Sequence, residues 1–373
     1  MTANIEILRL RGAAIPKTVA LRRVPTRPSN EITDHYRQNY DDRTLIYDAV
    51  RLPKERRILL TAPRLLNLSN SVTAGLRQDG HPVRRLRHRV FPKFEFLSFS
   101  DKGGAVELRM PYGAHEIAVR PSLADRFHGL NCVKTLSQNN PLEWIKDWAT
   151  FHVHHHGLEA VLFCDNGSTE YTLEDLGKTL ASIRGLRQVV VLGVPYRYGP
   201  RDKPGGGLVN PMFLQLALLN LARREALANA RAVLNADVDE VTLPLSGESM
   251  FDAALRAPTG AVRLAGDYAF PSSEATGPQS PRTHLWRADP PEVSTGKWCA
   301  RPRGPLSRFG WHVHQVGGEL GRLLRDDPRF ALVHCWAAAP HRSQDTSPRT
   351  LRADPSLAQA WAAIDQSTDR AAV

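Results

Sequence analysis

The chain is constrained most by Ala232-Val233-Leu234-Asn235-Ala236-Asp237-Val238-Asp239-Glu240-Val241, a short apolar run that ends in alternating acids. A helical stretch precedes it and Thr242-Leu243-Pro244 follows. Val and Leu over so few positions read as a strand buried on both faces in a parallel sheet. The acids then sit at its carboxyl end, where open α/β sheets bind their ligands. In an extended segment residues two apart project to the same side, so Asp237 and Asp239 are expected to converge on one hard cation. Such a pair suits a metal-bound diphosphate.

A second strand-end acid stands in Ala160-Val161-Leu162-Phe163-Cys164-Asp165, followed by Asn166-Gly167-Ser168. Asn-Gly is a turn pair that tolerates positive φ and presents the preceding side chain to a ligand. Two such ends suggest one nucleotide site. The formal net charge of +11 favours anionic partners: nucleotide sugars, acidic glycans, anionic lipid surfaces or nucleic acid. No DNA- or RNA-binding motif accompanies the charge, which argues against the last. The most apolar helix, Met212 to Ala222, is short and broken by Gln215 and Asn220, so no membrane span is expected. Met1 to Arg11 lacks the apolar block of a signal peptide. Cys132, Cys164, Cys299 and Cys335 lie far apart with no CxxC pair and read as reduced core residues of a cytoplasmic protein.

Four regions are expected along the chain. Residues 1–50 are basic and proline-dotted, an extended lead-in. Residues 51–125 hold short β-like runs at Ile58–Thr61, Val90–Phe99, Ala105–Leu108 and Glu116–Val119, a small antiparallel β-rich domain. Its Arg84-Arg85-Leu86-Arg87-His88-Arg89 segment reads first as a solvated face and second as a surface for an acidic acceptor or a membrane. Residues 126–345 alternate strand and helix, and residues 346–373 are a polar tail. In the third region Asn131–Leu136 begins the sheet, with Asn140 as cap, Pro141 at the first position and Glu143 reaching back. Trp144, Trp148 and Phe151 fall at helical spacing and are read as core. His152 and His156 have the i,i+4 spacing of a metal-binding face, but no HExxH carboxylate accompanies them and zinc is not expected. Lys203-Pro204-Gly205-Gly206-Gly207 lacks the rest of a phosphate-binding loop and reads as a mobile loop. Residues 271–295 read as an acceptor-side loop or lid.

Taken together, Glu143-Trp144, Gly157-Leu158, Asp165-Asn166-Gly167-Ser168-Thr169, Gln215 with Asn220, Asp237-Val238-Asp239-Glu240 and Lys297-Trp298 with Arg301-Pro302 resemble a GT-A fold glycosyltransferase of the family 2-like or family 92-like group, over about residues 130–340. The resemblance implies an α/β fold with a GT-A type nucleotide-binding mixed sheet flanked by helices, beside the small N-terminal β-rich unit. It implies transfer of a sugar from a nucleotide-diphosphate sugar, a UDP-sugar first, to a hydroxyl of a glycan or lipid-linked glycan. The setting would be capsule or surface polysaccharide synthesis in the cytoplasm, with peripheral contact at the anionic inner membrane face. Asp237 and Asp239 look like the DxD pair holding Mn²⁺ or Mg²⁺, which would neutralise the diphosphate leaving group. Asp165 looks like the acid that meets the base or ribose. Thr135, Asn166, Gln215, Asn220, Lys297 and Arg301 complete the expected nucleotide-sugar contacts, with Arg303 beside them.

Glu240 reads equally as a partner of the pair or as a surface acid. His312, His314 and His334 compete as a further metal ligand. No ED motif stands where family 2 members carry the base, so Asp267, Asp289 and Glu292 are the candidates, Asp267 and Glu292 foremost. Two other readings compete. A nucleotidyltransferase would need a glycine-rich, lysine-containing loop after the first strand, where Thr135-Leu136-Ser137-Gln138-Asn139-Asn140 has none. A non-catalytic glycan-binding protein would be free to lose the strand-end acids, which are present.

Overall fold

A computed structural model describes residues 2–202, 210–272, 278–338 and 349–370. By internal packing the chain forms two units: residues 1–8, 126–193 and 227–373, and residues 9–125 and 194–226. Lys203–Gly207 and the 273–277 part of the expected lid fall outside the described residues.

The first unit is a helix-flanked mixed sheet, the α/β class expected. Its strands are β1 (Asn4–Arg9), β2 (Asn131–Ser137), β3 (Ala160–Asp165), β4 (Gln188–Gly193), β5 (Ala232–Asn235), β6 (Glu240–Pro244), β7 (Ala261–Ala269), β8 (Val293–Ala300) and β9 (Asp326–Cys335). Among the described residues they form a nine-stranded sheet in the order β1-β4-β3-β2-β5-β8-β7-β9-β6. β4, β3, β2 and β5 run parallel. β8 then enters antiparallel to both β5 and β7, β9 lies parallel to β7, and β6 closes the edge antiparallel to β9. The central strands are largely apolar, as strands covered on both faces are; every residue of β3 and β4 is buried.

Helix α1 (Leu142–His156) begins after Pro141, and Asn140 turns its amide to Ser137 instead of capping it. Trp144, Trp148 and Phe151 enter the core as expected. Helix α2 (Leu173–Ala181) is closed by a capping box of Thr172 and Asp175, the reciprocal pair that satisfies two orphan amides. Helix α3 (Met250–Arg256) packs on β7 and β8. Residues 346–373 are not only a polar tail: helix α4 (Pro355–Arg370) carries Leu357, Trp361 and Ile364 into the same core. All four cysteines are buried free thiols.

Among the described residues the second unit holds two larger sheets and a two-stranded one of Ala13–Ala14 with Thr44–Ile46. A five-stranded sheet runs Val119–Pro121, Asp48–Leu52, Arg57–Pro63, Phe94–Ser100, Arg87–Val90, and a four-stranded one runs Gly113–Ile117, Val106–Met110, Leu76–Gln78, His81–Pro82. Residues 1–50 are not an extended lead-in. Asn4–Arg9 is a sheet strand of the first unit, and Leu45, Ile46 and Ala49 lie in the apolar core of the second. Local apolar density there was too low to show this, because the ordering comes from charge: Arg23 is 1% exposed and its guanidinium donates to the carbonyls of Asp41 and Thr44. Helix Phe213–Arg224, expected beside the Asp237 strand, belongs to this unit and packs on Arg57–Pro63 and Phe94–Ser100. Arg84, Arg85, Arg87 and Arg89 are exposed. Among the described residues no helix is long and apolar enough to cross a membrane.

The histidine pair of α1 is structural. His152 Nδ1 donates to the Trp148 carbonyl at 2.9 Å, and His156 Nε2 donates to the Thr242 carbonyl at 2.7 Å. Burial pushes His152 down to about 4, and burial with the neighbouring His152 ring pushes His156 down to about 3. An unfolded histidine takes its proton near pH 6.5, whereas these rings refuse it until far lower. Their contribution to stability is therefore present above about pH 6.5 and lost as pH falls below it, at ~1.4 kcal/mol per unit each. Urea unfolding of His156→Gln at about pH 7 and about pH 5 should show a loss smaller than wild type by ~2 kcal/mol. An unchanged difference would mean that His156 carries its proton in the fold.

Candidate functional site

The carboxyl ends of β2, β3 and β5 lie side by side, because Ser137 pairs with Asp165 and Lys134 with Asn235. β5 stops at Asn235, and the next residues turn: the Glu240 amide donates to the Asp237 carbonyl at 3.1 Å and the Asp237 amide to Glu240 Oε2 at 2.8 Å. The acids thus lie on a turn between β5 and β6. This corrects the expected pairing of Asp237 with Asp239, since the two-residue alternation that would align them holds only in extended chain.

Asp237 and Glu240 share one cation. The Lys297 ammonium, fully buried, lies 2.6 Å from Asp237 Oδ2 and 3.1 Å from Glu240 Oε2. Burial works against the Asp237 carboxylate, but Lys297, Lys134 and His334 outweigh it and hold its pKa below the ordinary value. Glu240, 1% exposed and so no surface acid, is pushed up to about 7 by burial, with Lys297 opposing. Lys297 is therefore committed to carboxylates, whereas the sequence had offered it to phosphate.

Asp239 faces His334 instead. His334 Nε2 lies 3.1 Å from Asp239 Oδ2, and Nδ1 lies 3.8 Å from Glu240 Oε1. The strand ladder explains the meeting: Glu240, His334 and Tyr268 stand in register across β6, β9 and β7. The Cys335 amide donates to the Asp239 carbonyl at 2.7 Å, and the Tyr268 ring lies 4.9 Å from the imidazole. Asp239, Glu240 and His334 offer ligating atoms all within 4.8 Å of one another, the set among the described residues that could hold a metal ion. Two carboxylates and an imidazole fit a divalent first-row cation such as Mn²⁺ better than Mg²⁺, which prefers oxygen alone.

Of the three histidines proposed, the ladder brings only His334 into this set. His312 and His314 are exposed residues alternating with the buried Trp311 and Val313, their rings 6.5 Å apart. The Asn235 side chain ties that segment through the Val313 carbonyl, and His314 Nδ1 meets the Gly296 carbonyl at 3.2 Å. His284, which the sequence had not singled out, is buried beside the set. Its Nδ1 donates to the Ser280 carbonyl while Nε2 accepts from the Ala337 amide, which fixes it as a neutral ring.

Asp165 turns inward on its own loop, accepting from the Ser168 hydroxyl at 2.5 Å and from the Ser168 and Gly167 amides at 3.0 and 3.2 Å. That is the ordinary bonding of an Asp before a turn. Asn166 follows it, half-buried. Thr135 is 1% exposed on β2, its hydroxyl without a hydrogen-bond partner among the described residues. Gln215 and Asn220 lie in the second unit, Gln215 accepting from the Tyr198 hydroxyl and Asn220 donating to the Leu216 carbonyl of its own helix. Asp267 is half-buried on β7, while the Glu292 carboxylate is held by Arg349 at 2.8 Å.

Arg301 lies away from the acids. Because β8 runs antiparallel to β5, Trp298 pairs with Asn235 but Ala300 with Val233, so Lys297 and Arg301 mark opposite ends of the sheet. Arg301 lines a cleft of about 400 Å³ with Arg231 and Arg303 at that far end. Arg303 donates there to the Ala228 carbonyl and to Asn229. Sequence reasoning also passed over Lys134, although a lysine inside the apolar run of β2 is itself a signal.

No protein-family model matches the chain, and no curated protein matches it by sequence. Solved structures that resemble it include the crystal structure of an active-site mutant of LgtC, at 15% identity and a TM-score of 0.26, over 46% of this chain. The chain spans 57% of the length of that LgtC chain. A likeness so slight assigns no activity.

Removing the Lys297 ammonium strands two carboxylates, one of them buried. Lys297→Met should therefore lower stability by ~3–5 kcal/mol, the range for breaking a buried pair from one side. Adding Glu240→Gln should return part of that loss. Urea unfolding measures both, and a near-neutral single variant would dissolve the proposed ion triad.

Proposed function

We propose that this chain is a metal-dependent glycosyltransferase of the GT-A type, moving a sugar from a nucleotide-diphosphate sugar to a hydroxyl of a glycan or lipid-linked glycan. The observation that carries this reading is the convergence of Asp239, Glu240 and His334 just past the carboxyl end of a parallel strand, where α/β sheets take their ligands. In this reading those three residues hold the cation, Mn²⁺ by preference. When bound, it would supply positive charge to a diphosphate leaving group.

The chain's own residues do the rest. Lys297 fixes the Asp237–Glu240 turn, so that the three ligands keep their places without the cation. Tyr268 orients the His334 ring from one face. Asp267 is the carboxylate assigned to take the acceptor proton, since Glu292 is occupied by Arg349. The exposed arginines Arg84, Arg85, Arg87 and Arg89 would suit an acidic acceptor or an anionic membrane surface.

Calorimetric titration of nucleoside diphosphates, with and without Mn²⁺, tests the reading on wild type, Asp239→Ala and His334→Ala. Manganese-dependent binding of one nucleotide is expected, weakened about 100-fold or more when either ligand is removed, the upper range for loss of a charged contact. If no nucleotide binds under any condition, the transferase reading falls.

Metal binding should also depend on pH in a set direction. Ligands must shed protons to bind a cation, and Glu240 holds its proton up to about 7. Manganese affinity should therefore rise with pH and level off above about pH 7, falling roughly tenfold per unit below it if one proton is displaced. A flat profile across that range would remove Glu240 from the ligand set.

A further inference from the structure

Lys134 stands in the middle of β2, between Val133 and Thr135, and is 2% exposed. Its neighbours across the sheet are Leu162 on β3 and Asn235, the last residue of β5. Its ammonium feels the charges of Asp237 and Lys297, which sets it at the same strand end as the acids. Yet among the described residues no hydrogen bond or ion pair reaches it. The Asp237 carboxylate, whose charge reaches it, gives its Oδ2 to Lys297 instead.

Lysine is almost never buried without a partner, because removing an ammonium from water is costly unless an anion replaces the lost hydration. Burial pulls the Lys134 pKa down, the sign expected of an ammonium short of anionic contact. Lys297 beside it makes matters worse by like-charge repulsion. Asp237 remains partly open to solvent, with 37% of its side chain exposed, so the strand end is accessible from outside. What is missing around Lys134 is a negative group that arrives through that opening.

The geometry points to Lys134 as an oxyanion-binding residue of this strand end, taking a phosphoryl oxygen of a diphosphate ligand. An ammonium is a compact point charge suited to phosphate, whereas a planar carboxylate is matched better by the arginine fork. The identification of the ligand as a diphosphate rests on the glycosyltransferase reading above; the anion site itself rests on a lysine that is 2% exposed and has no protein partner among the described residues. Lys134 would then bind the anion beside the Asp239 set, while Lys297 stays committed to the protein's own acids.

Inorganic pyrophosphate and uridine diphosphate, titrated by calorimetry into wild type, Lys134→Met and Lys134→Arg, distinguish the two claims. Pyrophosphate should bind wild type, about tenfold or more weaker to Lys134→Met, and within about threefold to Lys134→Arg, as loss or retention of a charged hydrogen bond requires. Manganese affinity should be unchanged or tighter in Lys134→Met, which removes a nearby positive charge and shows that the fold persists. Equal pyrophosphate affinity in wild type and Lys134→Met, or none in wild type, overturns the assignment. Lys134-dependent binding of pyrophosphate with no gain from the nucleoside supports Lys134 as an anion site and sinks the nucleotide reading. Uridine diphosphate binding that ignores Lys134 does the reverse.

Discussion

The strand end depends on one buried ammonium. Lys297 reaches back to Asp237 and Glu240 together, and without it the turn between β5 and β6 would bring two carboxylates into a desolvated space with nothing to separate them. Like charges at such distances in low dielectric repel by several kcal/mol, so the turn would open or the acids would take protons. A lysine fully buried in this way is a fixed internal cation. It also explains why Glu240 can be 1% exposed and still lie beside His334, since the charge that would otherwise forbid its burial is already answered.

The direction of β8 supplies that lysine. The parallel strands alone would collect the acids at one end with Lys134 nearby but no cation in contact with Asp237 and Glu240. Inserting β8 antiparallel sends Lys297 to the acid end and Arg301 to the other, four residues or about 13 Å away along the strand. Strand direction is set by tertiary connection and is not written in local pattern, so Lys297 and Arg301 read alike in sequence though they occupy different surroundings. The same limit hid the split of the chain into two units, in which Gln215 and Asn220 share no unit with Asp237.

Other parts were legible because their physics is local. Unbroken Val and Leu runs could only be doubly covered strands, and β3, β4 and β5 are that. Trp144, Trp148 and Phe151 fell on one helical face and pack there. The acids at 237–240 stand out in the sequence, but their geometry does not follow from it: the extended chain stops at Asn235, two residues before the first acid. Nothing in Asp-Val-Asp-Glu announces that turn, because it is held by Glu240 accepting from the Asp237 amide, with Lys297 beside the same carboxyl. Lys134 is legible in the same way, as a charged residue inside an apolar run.

Two kinds of charge meet at this strand end, and they differ in their partners. Lys297 is tied to two carboxylates by close contacts and can leave neither without exposing a buried charge. His334 instead stands between the other acid and the shared one, 3.1 Å from Asp239 and 3.8 Å from Glu240. Lys297 therefore sets the shape of the turn, and the Asp239–His334 pair lies beside it. A site built in that order keeps its ligating atoms in place whether or not they carry a proton, which is the condition for binding a cation without refolding around it.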